Sequence, residues 1–143
     1  VDILSAEEGT VKGWNHDKPA DDFKVDRTFQ AASSEQYDAI VLPGGVQNSD
    51  TIRIDQDAQH LVKTGTSAGK PIAVICHGGW LLISAGLVNG KTMTSYKTLK
   101  DDLVNAGANW VDQEVVKDGH LISSRQPDDI PAFSRELIGA LSA

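Results

Sequence analysis

Two nearly continuous apolar runs, separated by an amphipathic segment, set the predicted architecture of this chain. Residues 37–42 and 71–76 have the pattern of strands that are buried on both faces. Between them, residues 55–68 place apolar side chains at the i, i+3, i+4 spacing of a helix, and Asp55 or Asp57 can cap its start. This strand–helix–strand order predicts an α/β fold with a parallel sheet.

The pattern of the remaining residues extends this arrangement. The other predicted elements are a strand at 1–5, a polar loop at 6–22, an edge strand at 23–29, a helix at 78–86, a strand at 92–96, a helix at 99–106, a hairpin of 114–116 and 121–123 with Asp118-Gly119 at its turn, and a helix at 127–141. We therefore expect one domain over residues 1–143, built as a three-layer α/β/α sandwich with a mainly parallel sheet and a small β-hairpin.

Composition narrows the possible partners. The 143 residues carry a net charge of −7, and the Lys and Arg residues are scattered along the chain. A surface of this sign repels phosphate backbones and anionic lipids, so neither nucleic acid nor a membrane is an expected partner. The single cysteine excludes an intrachain disulfide framework and a cage of thiolate metal ligands, which favours a reducing, cytoplasmic location.

The segment VICHGG at 74–79 is the strongest local signal for chemistry. An apolar strand runs into Cys76, two glycines follow His77, and a helix begins, as in the nucleophile elbow of α/β enzymes. The positive end of that helix is expected to lower the pKa of the Cys76 thiol and favour the thiolate. The alternative is a buried cysteine with a purely structural role at the end of a strand.

A second glycine pair ends the preceding strand. Gly44 and Gly45 follow residues 37–42, and ligands of open α/β sheets bind beyond the carboxyl ends of the strands. The backbone N–H groups of Gly45 and His77 are therefore candidates for an oxyanion hole. Without Cys76 nearby, an ordinary glycine turn would be the simpler interpretation.

Other candidate residues carry weaker signals. His77 could assist Cys76, although consecutive side chains usually diverge, and Asp50 could orient His77 from the loop after the glycines. His16 and Trp80 are candidates for lining a pocket. The spacing of the histidines and acids fits no known metal motif, and no phosphate-binding glycine loop is present, so we expect neither a metal nor another cofactor.

The order of these motifs resembles the ThiJ/PfpI superfamily, specifically its branch of intracellular protease I and stress-related deglycases. The segments that carry the resemblance are YDAIVLPGGV at 37–46, GKPIAVICHG at 69–78, and residues 13–16, 87–91, 94–95, 101–112 and 123–133. The resemblance covers essentially the whole chain and implies a flavodoxin-like fold. It also implies that a strand and helix carrying a family glutamate precede Val1, so that the ThiJ/PfpI domain over residues 1–143 is N-terminally incomplete.

The resemblance further implies roles for individual residues. It makes Cys76 the nucleophile, His77 and Asp50 the other members of a catalytic triad, and Gly45 an oxyanion-hole position. Asp50 would reach His77 of a neighbouring subunit, because members of this family form dimers and hexamers.

Three functions follow from the residues and the resemblance together. The first is a cysteine-dependent enzyme that acts on reactive aldehydes, of the glutathione-independent glyoxalase or deglycase type. The second is an intracellular cysteine peptidase using Cys76, His77 and Asp50, which would need an open groove rather than a narrow pocket closed by Trp14 and Trp80. The third is a non-catalytic redox sensor or chaperone in which Cys76 is oxidised.

Overall fold

Ten strands and five α-helices make up the computed structural model, which describes residues 1–143. The strands are β1 (Leu4–Ser5), β2 (Thr10–Asn15), β3 (Lys18–Lys24), β4 (Arg27–Thr28), β5 (Ile40–Leu42), β6 (Ile72–Ile75), β7 (Thr92–Met93), β8 (Asn109–Trp110), β9 (Val116–Asp118) and β10 (Leu121–Ser124). The α-helices are α1 (Val46–Ile52), α2 (Gln56–Ser67), α3 (Gly79–Ser84), α4 (Lys100–Asn105) and α5 (Ile130–Ser142).

The central sheet has four strands in the order β5-β6-β10-β9. Both neighbours of β6 run parallel to it, with Ile40 and Leu121 each in register with Ile72. Strand β9 runs antiparallel to β10 and forms the predicted hairpin, whose connection is Gly119-His120. Because β5, β6 and β10 are parallel, their carboxyl ends meet at one edge of the sheet.

Helices cover both faces of this sheet, which confirms the predicted three-layer arrangement. On one face, Leu42, Val74 and Leu121 pack into a 14-residue buried cluster with residues of α2, α3 and α4. On the other face, Ala73 and Ile122 pack against Phe133 of α5. Alternate residues of β6 therefore point to opposite layers, as a strand buried on both faces requires.

The prediction of a loop at residues 6–22 is wrong. Strands β2 and β3 form an antiparallel hairpin there, and β3 continues to Lys24, which also shortens the predicted edge strand. Every residue of β3 is exposed, so the hairpin lacks the apolar alternation that identifies a half-buried strand. One signal was Gly13, where a Cβ would lie 3.0 Å from the ring of Phe23 on the opposite strand.

Helix α1 was also absent from the prediction, which placed Asp50 in a loop. The helix spans only seven residues, and its N-cap is Gly45, which supplies no side-chain hydrogen bond. It therefore carries neither a capping residue nor a long amphipathic repeat by which sequence patterns identify helices. By contrast, Asp55 caps α2 as predicted, because its carboxylate accepts a hydrogen bond from the N–H of Ala58.

Two further features lie outside the central sheet. Strands β1 and β4 pair in parallel as a separate two-stranded sheet, and β7 pairs in the same way with β8. Asp129, directly before α5, is buried and forms an ion pair with Arg125 at 2.9 Å. None of the helices combines the length and apolar composition that crossing a bilayer would require.

Candidate active site

Cys76 occupies a sharp bend at the carboxyl end of β6. Its φ of 62° lies in the left-handed region, which non-glycine residues rarely adopt. A 3₁₀ turn over Cys76–Gly78 then leads directly into α3. Strain of this kind costs about 1–3 kcal/mol and persists only where the surrounding structure holds it. The geometry matches the strand–turn–helix elbow predicted from the sequence.

The glycines around the bend allow its tight packing. A Cβ on Gly78 would lie 2.9 Å from the carbonyl oxygen of Leu42 and 3.0 Å from that of Pro43. A Cβ on Gly44 would lie 2.7 Å from Cβ of Cys76 and 3.2 Å from its sulfur. Both positions therefore require glycine because the end of β5 and the elbow approach one another closely.

Two backbone donors surround the sulfur atom. The backbone N–H groups of Gly45 and His77 lie close enough to the Cys76 sulfur to lower the pKa of its thiol. Gly45 has a φ of +89°, which orients its peptide group at the start of α1. Because both donors lie beside the sulfur, they are placed to bind an oxygen on a carbon attached to it.

His77 lies against Cys76 despite being its neighbour in sequence. Its Nδ1 is 3.2 Å from the Cys76 sulfur, because the left-handed backbone turns the two side chains toward one another. The imidazole is buried, stacks on Tyr96 with ring centroids 4.9 Å apart, and meets Trp80 edge-on at 5.3 Å. On its far side, Nε2 is 3.3 Å from the hydroxyl oxygen of Thr98.

The electrostatics of this pair differ from the prediction. Burial raises the pKa of the Cys76 thiol, although the N–H bonds from Gly45 and His77 act in the opposite direction. Burial also lowers the pKa of His77. The expected lowering of the thiol pKa is therefore wrong for the single chain: the half-buried sulfur has no cation beside it, and desolvation is the largest effect. Both shifts favour the neutral thiol and the neutral imidazole over the ion pair.

The structure does not bring every candidate to this pair. Asp50 is exposed on α1 and makes no hydrogen bond to His77. His16 is exposed at the turn of the β2–β3 hairpin, and Trp14 in the same hairpin is 59% exposed, so these two residues do not close a pocket over Cys76. Trp80 does reach the site, where Asp102 accepts a hydrogen bond from its indole N–H at 3.0 Å.

Sequence reasoning did not identify Tyr96 and Thr98 as site residues. Both follow β7, and the N–H of Tyr96 donates to the carbonyl oxygen of Cys76 at 3.1 Å, which fixes this segment beside the elbow. The one signal was their position: they come directly after a strand, where ligands of α/β folds bind. Nothing in their residue types singled them out. No group of three or more His, Cys, Asp or Glu side chains is placed to hold a metal ion.

Known proteins resemble this chain in sequence over nearly its whole length. The model of the DJ-1/PfpI family matches residues 1–140. The chain is 45% identical over 141 residues to deglycase PH1704 of Pyrococcus horikoshii, covering 99% of this chain and 82% of that protein. It is 40% identical over 135 residues to protein/nucleic acid deglycase 2 of Escherichia coli, covering 94% and 76% of the two chains.

A solved structure gives the same result for the fold. A two-domain protein of Anabaena variabilis, with DJ-1/ThiJ/PfpI-like and ferritin-like domains, superposes with a TM-score of 0.91 at 31% identity. The match covers 99% of this chain and 40% of that protein. The chain thus belongs to the DJ-1/PfpI family.

Proposed function

We propose that this protein is a cysteine-dependent enzyme of the glyoxalase or deglycase type, acting on small reactive aldehydes or their adducts with protein. The observation that carries the proposal is the 3.2 Å contact between the Cys76 sulfur and Nδ1 of His77, with the backbone N–H groups of Gly45 and His77 close to the same sulfur. The names of the two relatives support the deglycase class, since both are deglycases.

The neutral pair suits attack on an aldehyde. When a dicarbonyl such as methylglyoxal enters, the sulfur of Cys76 bonds to the aldehyde carbon while its proton passes to Nδ1 of His77. The carbonyl oxygen becomes anionic, and the N–H groups of Gly45 and His77, which lie near the sulfur, would bind it. Protonation of that oxygen gives a hemithioacetal and returns His77 to its neutral form.

The remaining steps convert the hemithioacetal to a hydroxy acid. A base removes the proton from the carbon bonded to sulfur, and a proton added to the neighbouring carbonyl carbon gives a thioester. Water then cleaves the thioester to release lactate and the free thiol. The aldehyde carbon is oxidised while the neighbouring ketone carbon is reduced, so the overall reaction adds one water molecule and requires no cofactor. His77, whose pKa is lowered by burial, is neutral at pH 7 and available as a base.

We further propose that the active form is a homo-oligomer. Asp50 is exposed on α1 rather than directed at its own His77, so it is free to approach a site on a second copy of the chain. A carboxylate beside the imidazole would stabilise the imidazolium that forms when the thiol loses its proton.

The test is consumption of methylglyoxal with detection of D- and L-lactate, comparing wild type with Cys76→Ala. We expect wild type to form lactate and the variant to form none above the uncatalysed rate. A fluorogenic peptide assayed in parallel separates the peptidase alternative. If wild type forms no lactate, the aldehyde function fails for this substrate, and peptide cleavage that depends on Cys76 would replace it.

A further inference from the structure

The imidazole of His77 has one partner at each ring nitrogen. Nδ1 is 3.2 Å from the sulfur of Cys76, and Nε2 is 3.3 Å from the hydroxyl oxygen of Thr98. Thr98 lies in the 3₁₀ turn over Lys97–Leu99, and the side chain of Leu99 anchors that turn because it is completely buried. The hydroxyl therefore reaches His77 from a fixed segment of backbone rather than from a free loop.

The proton positions at these contacts follow from the proposed role of the pair. For His77 to take the thiol proton, the S–H of Cys76 must donate to Nδ1, the ring nitrogen 3.2 Å from the sulfur. Nδ1 must then carry no proton of its own. A neutral imidazole carries one N–H, which leaves it on Nε2, facing the oxygen of Thr98.

We propose that Thr98 is a positioning residue whose hydroxyl oxygen accepts the Nε2–H of His77 and so keeps Nδ1 free to take the proton of Cys76. The inference rests on the proposed role of the Cys76–His77 pair. In the more familiar arrangement, a carboxylate orients the histidine of such a pair. Within this chain, a neutral hydroxyl occupies that position, and it favours the required tautomer without adding a charge.

No charged group in the chain competes for the imidazole. The charged residues on the elements around it are Asp50 and Arg53 at α1, Lys97 beside Thr98, Lys100, Asp101 and Asp102 of α4, and Arg125 after β10. None of them forms a hydrogen bond with His77. Asp102 is bound to Trp80, Arg53 lies over the Trp80 ring at 5.4 Å, and Arg125 is held by Asp129.

The test compares Thr98→Val, which removes the hydroxyl at nearly constant volume, with Thr98→Ser, which keeps it. The first readout is the pH dependence of alkylation by iodoacetamide, which reports on Cys76 alone because the chain has one cysteine. We expect Cys76 of Thr98→Val to be alkylated about three- to tenfold more slowly than in wild type near pH 7, a change that corresponds to the free energy of one neutral hydrogen bond. The pH profile of its alkylation should be displaced to higher pH. Thr98→Ser should stay close to wild type.

The second readout is the tautomer of His77, observed by NMR of protein labelled with ¹⁵N-histidine and assigned with His77→Gln. Wild type and Thr98→Ser should show the proton on Nε2, and Thr98→Val should show a larger fraction on Nδ1. Thr66→Val is the matched control, because Thr66 is an exposed threonine on α2. Thermal unfolding of each variant checks that it is folded, and the exposure of Thr98 favours this.

The proposal is overturned if Thr98→Val keeps the wild-type tautomer and alkylation profile, or if Thr98→Ser behaves like Thr98→Val. It is also overturned if Asp50→Asn moves the tautomer while Thr98→Val does not, because a carboxylate of a second subunit would then hold Nε2. Neither readout requires turnover. A protein that forms no lactate, yet shows the expected tautomer shift, would refute the proposed function and leave the role of Thr98 intact.

Discussion

Substitution of Gly44 by alanine isolates the close contact between the end of β5 and the elbow. The added Cβ would lie 2.7 Å from Cβ of Cys76 and 3.2 Å from its sulfur. Nonbonded carbons prefer about 3.5–4.0 Å, so Cys76 or residue 44 must move by roughly 1 Å. Gly44 does not have a positive φ, so the backbone itself accepts alanine and the effect is steric.

The expected magnitude follows from that displacement. A shift of about 1 Å in a reacting group reduces turnover by about 100-fold. Overpacking of this kind destabilises by about 1–3 kcal/mol, which lowers Tm by roughly 3–10 °C in a chain of this size. The variant should therefore remain folded at 25 °C. Its lactate formation should fall about 100-fold, and the alkylation rate of Cys76 should differ from wild type by more than twofold.

Gly139→Ala is the matched control for this substitution. Gly139 lies in α5, and a Cβ there would meet no atom within 4 Å. Alanine also favours a helix over glycine by about 1 kcal/mol, so the control should unfold at a slightly higher temperature with unchanged activity. Turnover and alkylation of Gly44→Ala within twofold of wild type would show that the elbow does not depend on this contact.

Two further experiments test the ion pair after β10 and the proposed oligomer. Asp129→Asn removes the buried carboxylate that accepts from Arg125 at 2.9 Å, and we expect a loss of about 3 kcal/mol in urea unfolding at pH 7. Arg125 lowers the pKa of Asp129 in the folded protein, so the ion pair stabilises the fold at pH values above the ordinary carboxyl pKa of about 3.9. This stabilisation is lost as the pH falls through the folded pKa of Asp129. Between pH 5 and pH 2, the free energy of unfolding should therefore fall less in Asp129→Asn than in wild type. Asp50→Asn and Cys76→Ala, each inactive alone, should recover about one quarter of wild-type activity when refolded together as random dimers, since half of the dimers contain one complete shared site. If the refolded mixture stays as inactive as the two separate variants, the two subunits do not share a site in this way.

The elements that could be predicted are those whose burial leaves a pattern in the sequence. Strands β5 and β6 lie in the central sheet, β6 with helices over both of its faces, and apolar runs mark both strands. The elbow was predictable for a related reason: close approach at Gly44 and Gly78 excludes any side chain, so the glycines are visible in the sequence. Close packing thus restricts which residue types fit at these positions, and such restrictions can be recognised in a sequence.

The elements that could not be predicted lack that constraint. All of β3 and most of β2 are exposed, so polar residues are tolerated there and the sequence shows no strand pattern. Thr98 acts through a single hydroxyl at 3.3 Å from His77, and an exposed threonine in a loop has no distinctive pattern. The contact between Cys76 and His77 depended on the left-handed φ of Cys76, which a sequence does not encode in any local residue preference.

The neutral state of the Cys76–His77 pair bears on how the enzyme would be activated. The ordinary pKa values of a thiol and an imidazole differ by about two units, so that without their mutual attraction a thiolate and an imidazolium lie about 2.7 kcal/mol above the two neutral groups. Burial widens this gap from both sides, because it raises the pKa of Cys76 and lowers that of His77. The hydroxyl of Thr98 can orient the imidazole, but one neutral acceptor recovers only part of such a difference. An anionic group that approaches His77 in the assembled protein would recover more, because a nearby opposite charge favours the imidazolium. If Asp50 of a second copy is that group, assembly would convert a stable neutral pair into a reactive one, and thiol reactivity would rise with protein concentration across the range in which the oligomer forms.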